Sequence, residues 1–124
     1  MNTKINVNKA EWNEGKRQLH LIIGDEISLS ELTPREQMLV DSDHLSFIYI
    51  TEKDEDYSYI MLPDSIWPQL KVALAENGDI YLSQQNQILQ LPLFQEELEY
   101  LIENIKGNSN YGEEMVNKVE EIFN

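Results

Sequence analysis

The sequence predicts an α+β fold: an antiparallel β-sheet with a middle helix and a C-terminal helical pair packed on one face. Three observations carry this. Residues 45–51 and 57–62 are rich in Ile, Tyr and Phe and flank a charged tip at 52–56, the pattern of a hairpin. Residues 94–123 place apolar side chains at helical spacing on both sides of a linker bounded by Gly107 and Gly112. Strand signals gather in the first half and helical ones in the second, an order that favours helices laid over one face of a sheet.

Taken in order, residues 4–8 alternate, with Ile5 and Val7 on one face. Residues 18–23 form a denser apolar run that ends at Gly24-Asp25, a strong turn signal. Residues 26–32 alternate again through Ile27 and Leu29, so a tight hairpin about Gly24-Asp25 is expected. Thr33-Pro34-Arg35-Glu36 reads as a turn or a short helix start, with Thr33 as cap and Pro34 at the first helical position. Met38-Leu39-Val40 then leads into Asp41-Ser42-Asp43.

In the main hairpin Tyr57 and Tyr59 share one face while Ile60 and Leu62 share the other. Pro63 breaks the strand, and Asp64 is expected to cap a helix running to about Glu76. Ile66, Trp67, Leu70, Ala73 and Leu74 give that helix its apolar face, Pro68 falls in its first turn, and Asn77-Gly78 ends it. Residues 80–82 and 87–91 read as short strands about Gln84-Gln85-Asn86. Phe94, Leu98, Leu101, Ile102 and Ile105 line the next helix; Met115 or Val116, Val119, Ile122 and Phe123 line the last. Gly107 suits a left-handed helix closure, Lys106 sits at the negative helix end, and Asn110 with Glu113 has capping-box spacing.

No repeat or linker divides the 124 residues, so residues 1–124 are expected to form a single domain. The chain has no cysteine, which excludes disulfides, thiolate metal sites and cysteine nucleophiles. The first eight residues lack an apolar signal-peptide core, and no stretch approaches the roughly 18 apolar residues of a membrane span. A cytoplasmic protein is expected. The 23 acidic against 9 basic residues give a net charge of −14. Such a surface is repelled by phosphate backbones and anionic lipid, which argues against direct nucleic-acid or membrane binding. It serves to solvate helix faces, or to steer toward a basic partner.

Two blocks carry a resemblance: residues 37–49, QMLVDSDHLSFIY, and residues 97–114, ELEYLIENIKGNSNYGEE. Together they resemble the uncharacterised YjbL-like family of small acidic proteins from low-GC Gram-positive bacteria. The tryptophan early in the middle helix, Trp67, is compatible with that family, and residues 8–32 match it less clearly. The resemblance implies no catalytic residue and no cofactor.

Asp41-Ser42-Asp43 is the sharpest polar cluster. On a strand, its two carboxylates would point the same way and could share a divalent cation with His44 nearby. The preferred reading is a turn in which Asp41 and Ser42 bond backbone amides before the next strand. Of the two histidines, His20 is expected on the outward face of its strand, and His44 has no evident nucleophile to serve. The 107–112 loop lacks the lysine of a phosphate loop and reads as a helix–helix turn, with Tyr111 packed between the helices. Tyr57 and Tyr59, rimmed by Glu and Asp, suit a protein-binding surface.

The leading expectation is therefore a non-enzymatic interaction module. It would bind a protein partner, or itself, through Asp41, Asp43, His44, Tyr57 and Tyr59, with no cofactor. Mimicry of nucleic acid toward a basic groove is one form this could take. The alternative is a small metal-dependent enzyme or ligand binder built on Asp41, Asp43 and His44.

Overall fold

A computed structural model describes residues 3–124; Met1 and Asn2, part of the N-terminal segment read above, lie outside the described residues. Among the described residues, eight strands form two four-stranded mixed sheets. The strands are β1 (Thr3–Asn6), β2 (Lys9–Asn13), β3 (Gln18–Ile22), β4 (Thr33–Asp41), β5 (Ser46–Lys53), β6 (Asp56–Pro63), β7 (Asp79–Gln84) and β8 (Gln87–Gln90). The first sheet has the order β1-β6-β5-β4 and the second β2-β3-β7-β8. The helices are α1 (Trp67–Glu76), α2 (Phe94–Ile105) and α3 (Glu113–Phe123).

The α+β class holds, but the expected single antiparallel sheet is replaced by two sheets, each with one parallel pairing. β1 runs parallel to β6, and β3 parallel to β7. The chain crosses between sheets at Val7, whose amide donates to the Met61 carbonyl at 3.0 Å, and then continues as β2. One buried cluster joins both sheets and all three helices, with Ile5, Val7, Leu19, Leu21, Tyr49, Ile60, Leu82 and Leu98 among its members.

The expected hairpin about Gly24-Asp25 does not form. β3 pairs instead with β2 and β7, and residues 24–32 are irregular apart from a short 3-10 turn at Leu29–Glu31. The cause is a side chain. The Gln84 amide donates to the carbonyls of Gly24 and Ile27, and its oxygen accepts from the Leu29 amide. These are backbone groups that a ladder would otherwise have to satisfy.

Residues 33–36 open β4 rather than a helix. The register shifts between Pro34 and Met38, with Glu36 at φ 61° inside the irregular stretch. Pro34 lacks an amide hydrogen, which an edge strand tolerates. Asp64 does not cap α1. It lies in a 3-10 turn at Asp64–Ile66, without a cap bond, and pairs with Lys118 at 3.8 Å. The Asn110–Glu113 capping box is also absent: Gly112 precedes α3, and Asn108 caps the Ser109–Tyr111 turn instead.

The β5–β6 hairpin, the short strands β7 and β8, and the helices α1, α2 and α3 form close to where their spacing places them, whereas β2 carried no strand signal in the sequence. Phe47, Trp67 and Phe123 meet in an aromatic cluster with centroid separations of 4.9–6.2 Å, which joins β5, α1 and α3. Trp67 Nε1 donates to the Leu62 carbonyl at 3.0 Å. Tyr49 stacks on Phe94, and its hydroxyl donates to the Pro92 carbonyl at 2.8 Å, tying α2 to the first sheet. These contacts put the helices on the face of the first sheet that carries Phe47, Tyr49, Ile60 and Leu62. Among the described residues no helix is long and apolar enough to cross a membrane.

Candidate functional site

The two faces of the first sheet follow from its register. Paired residues point to the same side, so Phe47 with Leu62 and Tyr49 with Ile60 face the helices. The opposite, outer face carries Ile48 with Met61, Ile50 with Tyr59, and Glu52 with Tyr57. Leu39 on β4 joins Ile48 in this row, and Lys4 on β1 joins Tyr59. Ile48, Ile50 and Met61 are buried, with 5–7 % of their surface exposed, yet lie outside the main core cluster. Leu39 at 43 % exposure and Tyr57 at 42 % leave the ends of the stripe open to solvent. Tyr57 and Tyr59 stack with centroids 6.4 Å apart.

Asp41 closes β4 on this same outer face, paired with Ser46. Its carboxylate is fully engaged. Oδ1 accepts the His44 amide at 3.2 Å and Oδ2 meets His44 Nδ1 at 2.9 Å, so Asp41 caps the 3-10 turn Ser42–His44. This is the turn role expected of Asp41. Asp43 lies within that turn, exposed, and not on a strand beside Asp41. Among the described residues no group of three or more His, Asp or Glu side chains is placed to hold a metal ion.

The structure therefore joins Asp41 to His44 and Tyr57 to Tyr59, but as two separate pairs. Asp41 stands level with Ser46 and Tyr57 level with Glu52, six residues apart along β5, or about 20 Å at the usual strand rise. Between them lie Leu39, Ile48, Ile50 and Met61, which no site reading of the sequence included. Their signal was the unbroken apolar run Phe47-Ile48-Tyr49-Ile50, the mark of a strand covered on both faces.

A second polar network lies on the outer face of the second sheet. His20 points outward, as expected, and stacks on Tyr81 at 5.4 Å. Its Nδ1 lies 2.5 Å from Ser83 Oγ and its Nε2 3.1 Å from Gln18 Oε1. A neutral imidazole satisfies both, accepting from the serine and donating to the amide oxygen. The serine is nearly buried, and an amide rather than a carboxylate backs the ring, so the network is built to hold the sheet face together.

With the geometry in place, comparison with known proteins identifies the kinship. A family model described as a family of unknown function, UPF0738, matches residues 5–123. The chain belongs to the UPF0738 family. A UPF0738 protein of Geobacillus thermodenitrificans is 42% identical over 123 residues, covering 99% of this chain and 98% of its own. The UPF0738 protein YjbL of Bacillus subtilis is 45% identical over 106 residues, covering 86% and 87%. The resemblance drawn from residues 37–49 and 97–114 is thus confirmed. No solved structure matches the chain significantly.

Proposed function

We propose that the protein is a non-enzymatic, single-domain interaction module of the cytoplasm, and that its working surface is the outer face of the first sheet. The observation that carries this reading is the stripe Leu39, Ile48, Ile50, Met61, Tyr59 and Tyr57. It is apolar and partly aromatic, and it lies opposite the face on which the helices pack. Its ends, Leu39 and Tyr57, stay open to solvent, while Ile48, Ile50 and Met61 between them are buried and Lys4 and Asn6 of β1 flank it. An exposed leucine and tyrosine at the two ends of an apolar stripe, on a chain of charge −14, suit a binding surface.

The test is capture from a native extract by wild-type protein and by a Leu39→Ser/Tyr57→Ser variant, both shown to fold by circular dichroism. A stoichiometric partner held by the wild type and lost by the variant is the expected result. Equal retention by both baits would place the binding surface elsewhere and end this assignment.

A further inference from the structure

We propose that Asn77-Gly78 is a site of spontaneous backbone modification. Asn77 converts to isoaspartate when the corner between α1 and β7 opens, and the closed corner holds the reaction off. The pair is the one Asn-Gly step in the sequence. Geometry dictates both residues. Asn77 closes α1 in the left-handed region, at φ 54° and ψ 41°, which asparagine tolerates better than most side chains. Gly78 is buried against Trp12, and a Cβ there would lie 2.5 Å from the indole ring and 2.9 Å from the Arg17 carbonyl. No larger residue fits. The same glycine leaves its own nitrogen unshielded by any side chain, the condition under which an asparagine is attacked by the following backbone amide.

In that reaction the Gly78 nitrogen bonds to Asn77 Cγ. The Cγ–Nδ2 bond breaks, and the amide proton leaves with the departing ammonia, giving a five-membered succinimide. Water then opens the ring at either carbonyl. One product is aspartate; the other is isoaspartate, whose main chain runs through the side-chain carbons and is one methylene longer. Water is the only co-reactant.

Three features of the fold oppose the attack. The Gly78 amide is committed, donating to the Ala73 carbonyl at 2.9 Å. Ring closure needs Asn77 Cβ and the Gly78 nitrogen on the same side of the Cα–C bond, and a ψ of 41° turns them nearly opposite. Rotation to the reactive geometry would also strain the bonds that flank the pair. Arg17 Nη2 donates to the Glu76 carbonyl, Gln95 Nε2 to the Gly78 carbonyl, and the Asp79 amide to the Arg17 carbonyl at 3.1 Å. Reaction therefore waits on a local opening of the helix end, which costs less than unfolding the core. The isoaspartate product cannot close again in the same way. Its longer backbone cannot keep both the bond to Ala73 and the contact with Trp12.

The test incubates the protein at pH 8 and 37 °C and follows isoaspartate at residue 77 by peptide mapping, folded and in 8 M urea. The folded protein should react at least tenfold more slowly than the unfolded one. Gln95→Ala and, separately, Arg17→Ala each remove one flanking bond, and each should speed the folded reaction at least threefold. Tyr49→Phe weakens the domain away from this corner and should leave the folded rate unchanged, because the rate follows the population of the locally open form. The purified isoaspartate form should unfold at a lower urea midpoint than the unmodified protein. Equal rates folded and in urea would overturn the protection. Acceleration by Tyr49→Phe as large as that by Gln95→Ala would overturn the local opening. Absence of modification at residue 77 in urea would overturn the site itself.

Discussion

Tyr49 shows how one side chain fixes two elements and carries a pH signature. Fully buried, it donates to the Pro92 carbonyl from the centre of β5. Burial raises its pKa well above the usual tyrosine value, an effect the backbone of Glu36 offsets in part and the carboxylates of Glu36 and Glu97 reinforce. The native state thus keeps a proton that the unfolded chain releases above about pH 10. Stability from this group is complete below that pH and falls as pH climbs past it. Tyr49→Phe should cost about 1–3 kcal/mol at pH 7 by leaving the Pro92 carbonyl unpaired. It should also flatten the decline between pH 10 and 11.5 in urea titrations; an unchanged slope would show that other groups govern it. At the β5–β6 turn, Asp54 and Glu55 both have positive φ, 51° and 70°. Two-residue hairpin turns of this kind favour glycine at the second position. Glu55→Gly should therefore stabilise the protein by roughly 1 kcal/mol, seen as a higher urea midpoint at constant m.

At the scale of elements, the sequence was most legible where periodicity and punctuation agree. The β5–β6 hairpin, α1 with its Asn77 stop, and α2 and α3 all form near their expected bounds. What was not legible depends on partners distant in sequence. Trp12 and Ala10 belong to β2 only because β3 lies beside them, and β3 meets β7 across about sixty residues. Gln84 holds the 24–29 loop from across the chain, so the alternation in residues 26–32 never becomes a strand. Of the site, Tyr57 and Tyr59 were read on their correct face, but Ile48, Ile50 and Met61 were indistinguishable from core. The α2 stripe gives the sharpest element-level test. Leu98 and Ile105 are fully buried, whereas Leu101 is only partly so. Ile105→Asp should unfold the protein by placing an unpaired charge in the core, while Leu101→Asp should be milder. A wild-type melting curve for Ile105→Asp would mean that α2 packs by a different face.

For the molecule as a whole, the net charge of −14 is the dominant long-range term. A folded chain of this length has a radius of gyration of about 14 Å, so at 10 mM salt, with a Debye length of about 30 Å, every surplus carboxylate feels every other. At 150 mM the range shrinks to about 8 Å, and only neighbours interact. The ion pairs that salt would weaken are mostly exposed, such as Lys9–Glu11 and Arg17–Glu76, and exposed pairs contribute at most about 1 kcal/mol each. Relief of self-repulsion should therefore win, and Tm should rise steadily from 10 to 300 mM NaCl. Glu99→Gln/Glu121→Gln, which removes two exposed charges without touching the core, should raise Tm at low salt and show a shallower salt response. A Tm that stays flat with salt would mean that the surplus carboxylates are already compensated locally.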